Sequence, residues 1–168
     1  LQSLTLIKPK FTEFPQWISK LTSLENFTVI SGKFQNIPEG LWRLPQLKMV
    51  NFKRNEILGL ELFPTRAQRV YLSHNNLFAL PTNLSCWTNV QVLSLGHNKL
   101  CDLPPSFSEL QKLEWLDLDN NQFKECPLIL KHLPKLQHLS LDTNPLSSQA
   151  QLDLAHLFSL EFDELRKV

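Results

Sequence analysis

The 168 residues carry 17 Lys and Arg against 16 Asp and Glu, a formal net charge of +1, and 42% of them are apolar. This balance excludes a global pull towards nucleic acid or acidic lipid. The apolar fraction suits one domain with a continuous core, and no apolar run approaches the roughly 18 residues of a membrane helix, so no membrane insertion is expected.

One phrase recurs along the chain: Leu-x-x-Leu-x-Leu-x-x-Asn-x-Leu-x-x-Leu-Pro-x-x-Leu-x-x-Leu. Its copies start at Leu1, Leu24, Leu47, Ala67, Val90, Leu113 and Leu136, and the clearest runs from Val90 through Leu93, Leu95, Asn98, Leu100, Leu103, Pro104 and Phe107 to Leu110. A fixed period of this length predicts a solenoid. Within each copy the Leu-x-Leu alternation is the period of a strand with one buried face. Stacking of successive strands then sets Leu93 and Leu95 against Leu116 and Leu118 in one core.

The first two copies place Pro9 and Gly32 where later copies place asparagine, and their solvent-facing positions include Ile7 and Ile30. The first coil starts in mid-repeat, so its open strand edge predicts either an upstream cap or self-association through that edge. Between Leu47 and Ala67 the period shortens, and Leu60–Arg66 leaves too little chain for a helical turn, which predicts an extended return. The column Asn55, Asn75, Asn98, Asn121 and Asn144 stands where each strand ends. A buried amide there can satisfy backbone groups of its own and the neighbouring turn, so the column is read as structural. Near the C-terminus, Ser147-Ser148 before Gln149–His156 predicts a capped short helix. Leu157–Phe162 then repeats the strand phrase with Leu165 in place of asparagine, which predicts a degenerate eighth coil over 157–168.

This phrase resembles the leucine-rich repeat, and its Leu-Pro-x-x-Leu-x-x-Leu half is similar to the typical and bacterial subclasses. The resemblance covers the whole chain as a single domain, 1–168. It implies an α/β solenoid: a curved horseshoe segment with a parallel sheet on the concave face and short helices or 3₁₀ turns on the convex face. It also implies binding of a ligand or protein, although fold alone does not prove function. The shortened copy resembles the compact repeats of bacterial effector-type proteins. Bacterial ubiquitin ligases with related repeats resemble this chain only in their repeat half, their catalytic domain having no counterpart here.

Subtracting the core positions leaves the solvent-facing rows. The third position reads Ser3, Asn26, Met49, Arg69, Val92, Trp115, His138; the fifth reads Thr5, Thr28, Asn51, Tyr71, Ser94, Asp117, Ser140. The seventh reads Ile7, Ile30, Lys53, Ser73, Gly96, Asp119, Asp142; the eighth reads Lys8, Ser31, Arg54, His74, His97, Asn120, Thr143. A basic and aromatic centre (Lys53, Arg54, Arg69, Tyr71, His74, His97) therefore stands beside an acidic end of Asp117, Asp119, Asp142 and, with the rows continued into the last coil, Glu161 and Asp163; Trp115 and His138 share this face. Asp119 and Asp142 are adjacent in one row, where like charges cost stability unless compensated. Aromatics and arginines are the residues that most often carry interface energy, so this face is the expected site for a protein or peptide partner. The competing convex surface offers Trp17, Trp42, Phe63, Trp87 and Phe107. Of these, Trp87 and Phe107 fall at core positions, while Trp17 and Trp42 do not and are the candidates for an exposed patch.

No catalytic, cofactor or metal site is expected. Asp117-Leu118-Asp119-Asn120-Asn121 begins like a calcium loop, but Gln122 replaces the required glycine and Leu128 the bidentate glutamate. Cys86, Cys101 and Cys126 show no metal-ligand spacing and read as free thiols, Cys126 at a core position. The sequons at Asn26 and Asn83 are read as accidental, the first lying inside a strand. The reading is a non-catalytic binding module that, if bacterial, is secreted or on the cell surface and makes host contacts. An intracellular, cytoplasmic scaffold and the recognition domain of a larger enzyme are the alternatives.

Overall fold

The computed structural model describes residues 1–61 and 64–165. Seven parallel strands form one sheet in chain order: β1 (Ser3–Ile7), β2 (Asn26–Ile30), β3 (Met49–Asn51), β4 (Arg69–Tyr71), β5 (Val92–Ser94), β6 (Trp115–Asp117) and β7 (His138–Ser140). The expected register holds at every step, with Ser3, Asn26, Met49, Arg69, Val92, Trp115 and His138 opposed in turn. Between the strands the chain returns through a short helix, α1 (Glu39–Trp42), and 3₁₀ turns at Gln16–Lys20, Ser85–Trp87, Pro105–Glu109 and Leu128–His132. The leucine positions form one continuous core, and Leu93, Leu95, Leu116 and Leu118 are all buried. This is the α/β leucine-rich solenoid that the repeat predicts.

Two devices hold one coil to the next where each strand ends. The first is the asparagine column. Asn98 Nδ2 donates to Leu95 O at 2.9 Å in its own coil and to Leu72 O at 3.0 Å in the preceding one, while its Oδ1 accepts from Leu77 N at 3.0 Å. Asn75, Asn121 and Asn144 repeat the pattern. Asn55 is the first rung: its Nδ2 is used in the same way, but its buried Oδ1 has no partner. Gly32 stands beside that oxygen, and a Cβ there would come within 2.6 Å of it.

The second device is a left-handed residue just before each of these positions. Lys8, Ser31, Arg54, His74, His97, Asn120 and Thr143 have φ between 48° and 59°. These are the eighth-position residues, so that row is not part of the strands as expected but forms the turn beside them. The turn is needed to swing the next side chain inward. A non-glycine residue there carries a backbone cost of about 1–2 kcal/mol, which the asparagine bonds offset.

The shortened copy has an unexpected consequence. Its described residues contain no helix, as expected, while Leu62 and Phe63 lie outside the described residues. On either side of it, Trp42 and Trp87 meet at a ring separation of 5.4 Å and are 0% and 1% exposed. The expectation that Trp42 is exposed is therefore corrected: the slim third coil leaves room that the two rings fill. Neither indole N–H has a partner. That costs about 1–3 kcal/mol each, less than the roughly 4–6 kcal/mol from burying a tryptophan surface. Trp17 is 47% exposed, and Phe107 is buried as expected.

At the C-terminus Ser147 Oγ accepts from Ala150 N at 3.1 Å, the expected cap, and α2 (Ser148–Leu165) begins there. The helix continues through Leu157–Phe162, where a strand phrase was expected. Ala150, Leu154 and Leu157 stand at helical spacing against the core, and no proline or glycine interrupts the segment, so the period of 3.6 prevails over that of 2. Cys86, Cys101 and Cys126 are free thiols, Cys126 buried and Cys101 exposed.

Replacing Asn98 by Leu strands backbone groups in two coils, so urea denaturation should show a loss of about 2–4 kcal/mol. Trp42→Ala should lose about 3–5 kcal/mol through the cavity it opens; a loss under about 1 kcal/mol would mean that the rings do not close the gap.

Candidate functional site

Parallel pairing turns the third and fifth positions into two rows of side chains on one face. The sharpest change of size along these rows is at the fifth coil. There Val92, Ser94 and Gly96 are small, whereas the flanking strands carry Arg69 and Tyr71 on one side and Trp115 and Asp117 on the other. The result is a depression of about 430 Å³. Of the residues expected on this face, Lys53, Tyr71, His74, His97, Trp115, Asp117 and Asp119 line it, together with Asn51, Ser73 and Ser94. Arg54, Arg69, His138 and Asp142 lie on the same face outside it. Hollows of about 600 Å³ near Phe14 and Lys33 and about 630 Å³ near Cys101 and Cys126 gather none of the expected residues.

The acidic side is organised by small neighbours. Ser94 Oγ donates to Asp117 Oδ2 at 2.8 Å, and Asp119 N donates to Asp117 Oδ1 at 3.0 Å. Gly96 makes this possible, because a Cβ there would stand 2.5 Å from Asp117 Oδ1. One strand on, Asp119 Oδ1 accepts from Ser140 Oγ and from Asp142 N at 2.7 Å. The expected repulsion between Asp119 and Asp142 is thus offset by donors from the neighbouring strand. Among the described residues no group of three or more His, Cys, Asp or Glu is placed to hold a metal ion.

The basic side is organised by the left-handed turns. His74 and His97 project from successive turns and stack with ring centroids 4.0 Å apart at 10°, and Asn120 Nδ2 lies 3.4 Å from His97 Nε2. Burial holds His74 below the ordinary histidine value, and repulsion from His97, Lys53 and Arg54 acts in the same direction, against the pull of Asp117. The ion pairs formed among the described residues are Arg43–Glu39 and Lys48–Glu25, both off this face. Lys53, Arg54 and Arg69 therefore stand without ion-pair partners, as do Asp117, Asp119 and Asp142.

The floor is what the sequence reading missed. Asn51, Ser73 and Ser94 stand in the rows but carry neither a charge nor a ring. The available signal was their size relative to Tyr71 and Trp115 on either side.

A sequence profile described as leucine rich repeat matches residues 65–123, and one described as two copies of the leucine rich repeat matches residues 111–156. Receptor-like protein 47 of Arabidopsis thaliana is 34% identical over 62 residues, which span 36% of this chain and 8% of that protein. The leucine-rich repeat protein LIC12759 of Leptospira interrogans superposes with a TM-score of 0.69 at 28% identity, covering 94% of this chain and 47% of that one. An internalin of Listeria monocytogenes, at 22% identity and a TM-score of 0.71 over 90% of this chain and 44% of its own, shares the fold. The chain thus spans about half the length of these solved relatives.

Because the fold favours neutral His74, its contribution to stability is present above the unfolded-state value near 6.5 and is lost as pH falls from there through the lowered native value. The melting temperature should drop between pH 7.5 and 5.5. His74→Asn keeps a residue that tolerates the left-handed turn and should reduce that drop; an equal drop would remove His74 as its cause.

Proposed function

Since the chain belongs to the leucine-rich repeat family, a family of protein-interaction modules, we propose that it binds a protein or peptide partner through the concave face centred on the depression, without catalysing a reaction. The observation that carries this reading is the pair of opposite charge clusters that find no ion-pair partners among the described residues. A partner bearing complementary charge would be steered and oriented by them, with Tyr71 and Trp115 as the aromatic contacts. Similarity to the leucine-rich repeat protein of Leptospira interrogans supports a bacterial-type repeat, and we take host interaction as the setting. No helix among the described residues is long and apolar enough to cross a membrane.

The test is a partner captured by crosslinking and mass spectrometry, followed by affinity measurements on paired charge reversals. Lys53→Glu with Arg54→Glu, and separately Asp119→Lys with Asp142→Lys, should each weaken binding about tenfold or more, with helicity and melting checked in parallel. If both folded variants bind normally while Trp17→Ala does not, the partner uses the convex side.

A further inference from the structure

Resting on the reading of the concave face as a docking surface, we propose that the central depression is a subsite for one basic side chain of the partner, an arginine or lysine. Ser73 lies on its floor, only 6% exposed, and among the described residues its hydroxyl forms no hydrogen bond. The hydroxyl is not among the fully buried atoms that lack a partner; it opens into the hollow, where it can accept from or donate to a guest. Beside it the carboxylate of Asp117 is drawn over Gly96 and held there by Ser94. Those bonds orient the carboxylate and leave lone pairs on both of its oxygens free for a further donor.

The charges lining the hollow decide the sign of the guest. Lys53 contributes one positive charge and Asp117 and Asp119 two negative ones, so the Lys and Asp side chains of the lining sum to −1. Tyr71 and Trp115 add π faces that attract a cation and repel an anion. A guanidinium or ammonium entering between them would meet Asp117, Asp119 and the Ser73 hydroxyl as acceptors. The volume of about 430 Å³ sits at the low end for ligand pockets and suits one side chain. Lys53, Ser73, Gly96 and Asp119 follow one another along a single row, which sets Lys53 roughly 14 Å from Asp119 in backbone terms. Lys53 would then take a carboxylate elsewhere on the same partner segment.

The experiment is an amide-resolved NMR titration of the whole chain with N-acetyl-arginine amide, and with N-acetyl-citrulline amide as a neutral probe of the same shape. Arginine amide should give saturable shifts at the Trp115 indole N–H and the Ser73 and Gly96 amides, with roughly millimolar affinity for so small a probe, and citrulline amide should give none. Asp117→Asn should weaken the arginine probe about tenfold, and Ser73→Ala should weaken it measurably while leaving the melting temperature within a degree or two. Equal shifts with citrulline, preference for N-acetyl-aspartate, or arginine shifts insensitive to both variants would overturn the proposal. If the charge reversals weaken the partner while arginine leaves Trp115 unmoved, the docking face stands and the subsite falls. If arginine binds but the reversals leave partner affinity intact, the subsite stands and the docking reading falls.

Discussion

Each coil ends in a turn whose backbone groups cannot all be paired within that coil, and the structure depends on how the next coil supplies the missing partners. The asparagine column does this with a single side chain per coil. Asn75, Asn98, Asn121 and Asn144 each donate to two coils and accept from one, so removing any of them strands groups on both sides of the contact. An amide is unusual in offering donors and an acceptor together. The column begins with the unfilled acceptor of Asn55, beside Gly32, which stands where later coils carry an asparagine.

The inward turn of the asparagine forces the residue before it into the left-handed region, and that residue is then aimed along the rim of the inner face. This is how the fold presents side chains along the rim without a loop. His74 and His97 stack because two successive turns are identical in conformation, not because the rings sought each other. The rim histidines and the strand residues Tyr71 and Trp115 are thus placed by the same constraint that joins the coils.

The register was legible because leucines alternate with polar residues at a period that admits one alignment, and a one-residue slip would expose every one of them. Three features of the fold were not legible, each for a physical reason. Left-handed turns are read from glycine, and here lysine, serine, arginine, histidine, asparagine and threonine occupy them. Trp42 stands off the leucine pattern, and its burial depends on the missing convex turn of a neighbouring coil, a contact between elements that no local pattern encodes. Leu157–Phe162 satisfies both strand and helix periods, and the outcome was decided by the Ser147 cap upstream and the absence of a breaker. At the site the charged and aromatic rows were legible, but the hollow was not, since it is made by the smallness of Ser73, Ser94 and Gly96.

The separation of the two charge clusters follows from those same small residues. Side chains one repeat apart are neighbours in this fold, and where their charges are opposite they pair: Lys48 Nζ meets Glu25 Oε2 at 2.8 Å from equivalent positions of adjacent coils. Lys53 and Asp119 occupy equivalent positions too, but Ser73 and Gly96 stand between them, and neither side chain has a neighbour of opposite sign in its row. An exposed ion pair is worth only about 0–1 kcal/mol, so the fold gives up little by leaving these charges apart. A partner bridging both ends would gain more, because docking excludes water from the hollow and strengthens each contact. The inner face is therefore held open by small residues, and enlarging Gly96 would displace the Asp117 carboxylate as well as fill the space.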